Sequence, residues 1–254
     1  MDNSKSPMVT VSIVSHGQGE MVSRLLEGLA NCPLIYSVIL TYNIPEKDIK
    51  IPDEFSPKLI LIRNSRPLGF AANHNQAFRD CNTYFFAVLN PDVILTIDPF
   101  PLLMEVLSND AIGAIGPEVR NPMGCIEDSV RFFPTLLSLL NKFVSGEEGR
   151  IVPIGLEPQP VEWVAGMFIL FRSNIFRKIN GFDEGFFLYY EDVDICIRLW
   201  ASGRPVYFHP SVSVIHIGQR ASRRKFRYMV WHSLSMTRYL IKYAWRLPNV
   251  RSQQ

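Results

Sequence analysis

The feature that most restricts the fold is a series of apolar strand-like segments separated by helix-compatible segments in the first third of the chain. Residues 9–17, 36–43, 58–64 and 84–93 have the composition of strands, and leucines at helical spacing follow the first of them. Strands that are apolar throughout and alternate with helices are typical of a parallel sheet covered on both faces. The sequence therefore predicts an α/β fold with a mostly parallel, mixed sheet flanked by helices.

Polar residues follow these predicted strands at the ends where such sheets bind ligands. Strand ends are also polar simply because they lead into turns, so this pattern alone leaves both interpretations open. The candidate ligand-binding residues at these ends are Ser15, His16, Gly17, Asn43, Asn64, Asn90 and Asp92.

A glycine loop begins the helix-compatible segment after the third predicted strand. Gly69 and Phe70 precede three polar residues of the first helical turns. Glycine lets a ligand approach the backbone, and a helix N-terminus attracts phosphate. Neither a GxGxxG motif nor a P-loop occurs, and an ordinary helix start remains the alternative.

Asp92 follows an apolar strand in the turn Asn90-Pro91-Asp92. A carboxylate fixed there is suited to a divalent cation that bridges a diphosphate, although a turn-capping aspartate has the same appearance. His216 ends a later predicted strand, and we expect it beside Asp92 in space. A structural histidine is the alternative for His216.

Residues 181–216 combine several carboxylates with an aromatic run, and Glu191 and Asp192 open a predicted helix. Acids at a helix start are often only capping residues. Apolar rings next to them, however, raise the proton affinity of a carboxylate and make it a usable general base.

The segment 121–160 is rich in proline, glycine and charge, and we expect a long connection there that serves as a lid or a binding loop. Arg131 within it is a candidate contact for an anionic ligand, with a plain surface arginine as the alternative. Trp163 beside Gly166 is a candidate platform for a sugar, whereas core packing is the usual role of a tryptophan.

Composition and charge limit the environment and the partners. The four cysteines of this 254-residue chain form no CxxC pair, which argues against a zinc site and a secreted disulfide framework. No segment approaches the roughly 18 apolar residues of a membrane span, so a cytoplasmic location is expected.

After His216 the chain contains basic residues, including Arg220 and Arg223, and no acidic residue. A predicted amphipathic helix there suits an anionic diphosphate or a membrane surface; a merely solvated helix is the alternative. Nucleic-acid binding is not expected, because the rest of the chain has no matching basic face. The predicted apolar stripe of this helix comprises Phe226, Met229, Val230, Leu234, Thr237, Ile241 and Ala244.

The chain contains four motifs in this order, VSIVSHG, NSRPLGFAANHN, LNPDV and GFDEGFFLYYEDVD, followed by a strand that ends in His216. In these motifs it resembles family 2 glycosyltransferases of the GT-A fold. The chain is most similar to the rhamnosyltransferases of bacterial O-antigen and related polysaccharides. The resemblance covers about residues 8–245 and implies a GT-A domain over residues 1–218. Its nucleotide-sugar half would span about 8–120, its acceptor half about 160–218, and a basic C-terminal region 219–254.

The resemblance also implies roles for individual residues. Asp92, assisted by His216, would hold Mg²⁺ or Mn²⁺ on the donor diphosphate, and Asp192 would be the catalytic base of an inverting, single displacement. Asn90 stands where many members have the first aspartate of the metal motif, and Asn43 stands near an aspartate that contacts the base in relatives. Donor contacts would come from Ser15, His16, Gly17, Asn43, Asn64, Gly69, Phe70, Asn90 and Asp92. Independently of the resemblance, we expect acceptor contacts from Trp163, Gly166 and Glu191, and diphosphate contacts from Arg131, Arg220 and Arg223.

The implied donor is dTDP-rhamnose or a UDP-sugar, and the implied acceptor is linked to a polyprenyl diphosphate at the inner face of the cell membrane. Two other functions remain open from the residues alone. A sugar nucleotidyltransferase would need a basic glycine-rich loop after the first strand, which SHGQGE does not supply. A non-catalytic sugar-nucleotide or glycan-lipid binding protein would have no requirement for both Asp92 and Asp192.

Overall fold

The computed structural model describes residues 8–53, 55, 57–139, 155–218, 226–243, 246–248 and 250. The strands are β1 Val9–Ser15, β2 Ile35–Tyr42, β3 Lys58–Arg63, β4 Phe85–Leu89, β5 Val93–Ile94, β6 Ala114–Arg120, β7 Val130–Arg131, β8 Gln159–Val161, β9 Trp163–Val164, β10 Phe168–Arg172 and β11 Val206–His216. The helices are α1 Gly19–Ala30, α2 Phe70–Phe78, α3 Phe100–Leu107, α4 Ser173–Lys178, α5 Glu191–Ala201 and α6 Phe226–Tyr243.

Within the described residues, nine strands form the main sheet, in the order β3-β2-β1-β4-β10-β6-β11-β5, with β8 added along β11. The first four strands are parallel, whereas β10 runs antiparallel to both of its neighbours. The prediction of a mostly parallel, mixed sheet flanked by helices is confirmed.

The sheet is covered on both faces, which explains why its strands are apolar throughout. Side chains of β4 alternate between two hydrophobic clusters. Phe85 and Ala87 belong to the cluster that includes the buried face of α1, and Phe86 and Val88 belong to the cluster that includes α5. Each face of the sheet therefore packs against its own hydrophobic cluster.

The parallel register places the carboxyl ends of the first strands at one edge of the sheet. The backbone N–H of Asn43 donates to the carbonyl of Ser15, and that of Asn64 donates to the carbonyl of Tyr42. The polar residues that follow β1, β2 and β3 are thereby neighbours in space, as their positions in the sequence predict.

Two segments differ from the sequence-based expectation. The two short strands predicted between residues 205 and 216 form one strand, β11, whose register shifts between His209 and Ser213. Pro210 lies in that interval and cannot donate a ladder hydrogen bond. The connection 121–160 also contains regular structure, since β7 pairs with β9 and β8 pairs with β11.

Helix α6 packs with a face other than its apolar stripe. Its buried residues are Ser235, Tyr239 and Tyr243, because the tyrosines combine a large apolar ring with a hydroxyl that finds a partner inside. The predicted stripe points outward: Phe226 is 76% exposed, Leu234 63% and Ile241 81%. Ala244, Arg220 and Arg223 lie outside the described residues. Across the helices that are described, none is long and apolar enough to cross a bilayer.

Candidate active site

Asn43 is the centre of a hydrogen-bonded network that fixes the glycine loop. Its side chain accepts from the N–H of Leu68 at 2.8 Å and donates to the carbonyl of the same residue at 3.0 Å. Asn64 donates to Asn43 at 2.9 Å and to Asn73 at 2.7 Å. The structure therefore uses Asn43 and Asn64 to shape the loop that leads to Gly69.

The turn after β1 is held by a residue that the sequence reasoning missed. Ser15 donates to the carboxylate of Glu46 at 2.8 Å, and the N–H of Gly17 donates to the same carboxylate at 3.2 Å. Gly17 has φ +81°, a left-handed conformation that favours glycine. His16 is exposed at this edge, and its Nδ1 lies 3.3 Å from the amide nitrogen of Asn43.

Gly69 is required by close packing. The next residue, Phe70, donates its backbone N–H to the carbonyl of Phe187 at 2.9 Å. A Cβ at Gly69 would lie only 2.5 Å from that carbonyl oxygen. The glycine loop and the aromatic segment before Asp192 are thus in direct contact, although more than a hundred positions separate them in the sequence.

A cavity opens beside this loop at the carboxyl ends of β1 and β4. Its lining includes Phe70, His74, Asn90 and Asp92. His74 is fully buried and bonded to Ser12 at 2.8 Å, and burial lowers its pKa to about 3, so its imidazole is neutral at physiological pH.

Asp92 and His216 meet at this cavity, as the sequence predicts, because the short strand β5 pairs antiparallel with the end of β11. Asp92 Oδ1 lies 3.2 Å from His216 Nε2, yet it is buried and accepts no hydrogen bond in good geometry. On the other side of the ring, Glu127 Oε2 lies 2.8 Å from His216 Nδ1. Burial opposes protonation of His216, but the two carboxylates outweigh it and raise its pKa.

Among the described residues, no group of three or more histidine, cysteine, aspartate or glutamate side chains is arranged to hold a metal ion. Asp92 and His216 nevertheless fit part of a cation site, because the buried Oδ1 of Asp92 accepts no hydrogen bond and Glu127 orients the histidine. Mg²⁺ typically takes one or two protein carboxylates and completes its shell with phosphate oxygens and water. An incomplete protein ligand set is therefore compatible with a cation that arrives with a diphosphate.

Asp192 lies near the same cavity and is held by two backbone amides. Gly166 donates to its Oδ2 at 3.0 Å, and Val193 donates to its Oδ1 at 2.8 Å. The carbonyl of Met167, the residue after Gly166, accepts a hydrogen bond from the N–H of Asn90 at 2.9 Å. Adjacent residues of one turn therefore bond to Asn90 and to Asp192.

Asp192 is half-buried, and burial raises the pKa of its carboxyl, an effect moderated by the Gly166 and Val193 amides and by Arg131. Glu191 beside it is 5% exposed and its Oε2 has no hydrogen-bond partner. Burial, together with the charge of Asp192, raises the pKa of Glu191 well above its usual range. Asp192 is therefore the less buried member of the pair.

A strained turn precedes this pair. Tyr189 and Tyr190 have φ +73° and +68°, and such left-handed conformations cost on the order of 1–3 kcal/mol each for residues with a side chain. The sequence gives no signal for this strain, since neither residue is a glycine or an asparagine. Backbone outliers of this kind are concentrated at functional sites, where the surrounding structure holds them in place.

Several predicted contact residues are less accessible than expected. Trp163 is 7% exposed and donates its indole N–H to the carbonyl of Phe132 at 3.0 Å, so its ring packs in the core. Arg131 forms an ion pair with Asp128 and lies over the Trp163 ring, 5.9 Å from its centre. Glu191 faces the interior. Arg220 and Arg223, predicted to contact a diphosphate, lie outside the described residues.

Comparison with known proteins identifies the family of this chain. The family model described as glycosyltransferase like family 2 matches residues 7–232. Rhamnosyltransferase WbbL of Escherichia coli is 30% identical over 247 residues, which cover 92% of this chain and 93% of that protein. The N-acetylglucosaminyl-diphospho-decaprenol L-rhamnosyltransferase of Mycobacterium tuberculosis is 32% identical over 142 residues, or 51% of this chain and 45% of that protein.

Solved structures share the fold at low sequence identity. A structure of GalNAc-T7 with UDP, GalNAc and Mn²⁺ has a TM-score of 0.66 and 14% identity, and the match covers 83% of this chain and 43% of that one. The mannosyltransferase PcManGT from Pyrobaculum calidifontis, in complex with GDP-Man and Mn²⁺, has a TM-score of 0.59 and 15% identity over 92% of this chain and 65% of that one. This chain therefore belongs to glycosyltransferase family 2 and is a glycosyltransferase with the GT-A fold.

Proposed function

We propose that the protein transfers a sugar, rhamnose in the first instance, from a nucleoside-diphosphate donor to a lipid-linked saccharide during the synthesis of a cell-surface polysaccharide. The observation that carries this proposal is the position of Asp192. Asp192 is half-buried, its carboxylate is fixed by two amides, and the turn that supplies the Gly166 amide also accepts a hydrogen bond from Asn90, two residues before Asp92.

The donor would bind at the carboxyl ends of β1 to β4. The loop 64–70, held by Asn43, and the turn at His16 and Gly17 border the nucleotide region. The diphosphate would lie next to Asp92 and His216, which would hold Mg²⁺ or Mn²⁺. When bound, the cation would neutralise negative charge on the leaving diphosphate.

Asp192 would act as general base. Its ionised carboxylate would accept the proton of the acceptor hydroxyl as that oxygen attacks the anomeric carbon from the side opposite the diphosphate. Burial raises the pKa of Asp192, which improves its ability to take a proton. One base is sufficient because the departing diphosphate leaves as an anion and requires no protonation, unlike the leaving group of a glycoside hydrolase.

Neighbouring groups keep this base in the correct state and orientation. The Gly166 and Val193 amides occupy one lone pair of each Asp192 oxygen, so the carboxylate plane is fixed while other lone pairs remain free. Glu191, whose pKa is raised by burial, would remain protonated and would add no second negative charge at the cleft. Phe70, which packs close to Gly166, would exclude water from the reacting centre.

The names of the relatives support a rhamnosyl donor and a polyprenyl-diphosphate acceptor. Two of them are described as rhamnosyltransferases, and one of these is described as acting on N-acetylglucosaminyl-diphospho-decaprenol. We therefore propose dTDP-rhamnose as the donor to test first, with UDP-sugars as the comparison.

We also propose that the exposed apolar face of α6 rests on the inner surface of the cell membrane, where a lipid-linked acceptor is found. Phe226, Met229, Leu234 and Ile241 on this face are all more than half exposed. An amphipathic helix with such a face and basic residues at its edge binds a bilayer interface. In this arrangement residues 1–218 form the catalytic unit and residues 219–254 form the membrane-facing region.

The proposal can be tested by transfer assays with purified protein, Mn²⁺ and an N-acetylglucosaminyl-diphospho-lipid acceptor. dTDP-rhamnose should support turnover, and UDP-glucose and GDP-mannose should support much less. Asp192→Asn should abolish turnover while Mn²⁺-dependent binding of dTDP persists. Turnover with UDP-glucose or GDP-mannose but not with dTDP-rhamnose would refute the proposed donor.

A further inference from the structure

Helix α6 contacts the chain on both sides of Asp192, and the proposed reaction does not use these contacts. The helix begins 34 positions after Asp192 in the sequence, so its packing there is a tertiary arrangement. Its outer face is exposed, whereas its inner face lies on the segment that carries the proposed base.

On the N-terminal side of Asp192, α6 covers the strained turn. Ser235 Oγ donates to the carbonyl of Leu188 at 2.8 Å. The His232 ring lies 5.4 Å from the ring of Tyr189 and 5.5 Å from that of Tyr190. The Tyr239 ring lies 5.0 Å from Tyr190.

On the C-terminal side, α6 is bonded to α5 through a buried carboxylate. Asp194 is completely buried; its Oδ1 accepts from Lys242 Nζ at 2.6 Å and from Tyr243 Oη at 2.7 Å. Arg198 on α5 donates to the other oxygen of Asp194 at 2.7 Å. Asp194 is two residues from Asp192, so the first turn of α5 is anchored to α6.

The turn is the part of this arrangement that needs external support. Two consecutive residues with side chains hold left-handed φ angles at 189 and 190, and such conformations persist only where the surroundings impose them. The carbonyl of Tyr190 accepts the hydrogen bond from the N–H of Asp194 that opens α5. A relaxation of Tyr190 would therefore displace the start of the helix on which Asp192 lies.

We propose that α6 is a positioning element for Asp192: Ser235 and His232 hold the left-handed turn, and Lys242 and Tyr243 hold Asp194, so that α6 sets the place of the base between them. This inference rests on the proposed function, in which Asp192 takes the proton. A further consequence is that any partner that moves α6 through its exposed face changes the rate of transfer.

The test compares two variants of residues that contact the turn, Ser235→Ala and the double variant His232→Ala/Ser235→Ala, with a matched control on the same helix. Thr237→Ala is that control, because the Thr237 hydroxyl is exposed and donates only to its own helix, at the carbonyl of Ser233. Transfer is measured with dTDP-rhamnose, Mn²⁺ and an N-acetylglucosaminyl-diphospho-lipid. Amide hydrogen exchange is followed by NMR without substrates.

The Gly166 amide is the local reporter, because it donates to Asp192 Oδ2, and the amide of Val11 in the sheet core reports general loosening. In the double variant, the Gly166 amide should exchange its hydrogen at least tenfold faster, and the exchange rate of the Val11 amide should be unchanged. The kcat of this variant should fall at least tenfold while the donor KM stays within about twofold, and Thr237→Ala should match the wild type. A merely structural contribution would accelerate both amides together and would not separate kcat from KM.

Unchanged Gly166 exchange in the double variant would overturn the inference. Accelerated exchange with unchanged kcat would also overturn it, provided that Asp192→Asn is inactive. Normal turnover by Asp192→Asn would instead refute the proposed base, and the Gly166 exchange would still decide whether α6 holds this residue in place.

Discussion

Replacing Gly69 with alanine is expected to destabilise the protein by separating the glycine loop from the turn before Asp192. An alanine Cβ would lie 2.5 Å from the Phe187 carbonyl oxygen and 2.9 Å from its Cα. Both are backbone atoms, which cannot rotate away as a flexible side chain can. Gly69 itself has φ −71° and ψ 166°, an extended conformation that alanine adopts without strain, so the clash is the whole of the effect.

The size of this effect follows from the contacts. The loop and the turn must separate by roughly 0.9 Å to restore an ordinary contact of 3.4 Å, and the hydrogen bond from Phe70 N–H to the same oxygen, now 2.9 Å, is then lost. Overpacking of this kind costs about 1–3 kcal/mol, and the lost hydrogen bond adds about 1 kcal/mol. The free energy of unfolding should fall by roughly 2–4 kcal/mol, which lowers Tm by about 5–15 °C in a chain of this size.

The assay is thermal unfolding followed by circular dichroism, with urea denaturation to obtain the free energy. Gly19→Ala is the matched control, because a Cβ there meets Ile49 at an ordinary 3.4 Å, and it should leave Tm within about 2 °C or raise it slightly. A Gly69→Ala protein as stable as Gly19→Ala would refute the close contact between the glycine loop and the turn before Asp192.

Three further predictions concern the charged groups and the outer face of α6. Burial raises the pKa of Asp183, but Lys242 and neighbouring donors outweigh this and lower it to about 2; the ionised carboxylate therefore stabilises the fold above its unfolded pKa of about 4, and this contribution disappears as the pH falls toward 2. Urea denaturation should show a deficit for Asp183→Asn that is full at pH 6 and shrinks below pH 4, whereas a deficit that is independent of pH would contradict the ion pairs. Glu127→Ala should weaken Mn²⁺-dependent dTDP binding in calorimetry by about 10–100-fold, because the orientation of His216 is lost; unchanged affinity would argue against this cation site. Leu234→Ser/Ile241→Ser should reduce co-sedimentation with vesicles containing anionic lipid at unchanged Tm, and equal binding by the wild type and this variant would remove α6 from the membrane contact.

The sheet and its ligand-binding edge could be predicted from the sequence because they depend on local patterns. Apolar strands with alternating helices specify a parallel sheet covered on both faces, and in such a sheet Ser15, Asn43 and Asn64 necessarily end at one edge. The position of His216 beside Asp92 required more, namely the pairing of β5 with β11. The expectation rested on the position of both residues at the ends of predicted strands, and the pairing itself is seen only in the structure.

Long-range contacts explain what the sequence could not reveal. Glu46 and Glu127 occupy segments without a recognisable motif, and their roles arise only when the chain brings them to Ser15 and His216. The left-handed turn at Tyr189 and Tyr190 has no sequence signal, because tertiary packing imposes it against local preference.

Helix α6 shows a different limit of sequence reasoning. Its amphipathic pattern predicts which residues lie on one face, but the pattern does not determine whether that face is buried. In the structure, the predicted apolar stripe of this helix is its exposed side. Tyr239 and Tyr243 are buried instead because their hydroxyls reach Pro134 and Asp194.

The most direct test of the account is a pair of measurements on Asp192→Asn: single-turnover transfer with dTDP-rhamnose, and calorimetric binding of dTDP with Mn²⁺. The amide of asparagine preserves the size of the side chain and an acceptor for the Gly166 N–H, but it cannot take a proton. We predict that the transfer rate falls by about 10²–10⁴-fold, the range that general-base catalysis contributes, with nucleotide affinity within about threefold of the wild type. Transfer at a near-normal rate would contradict the assignment of Asp192 as the base.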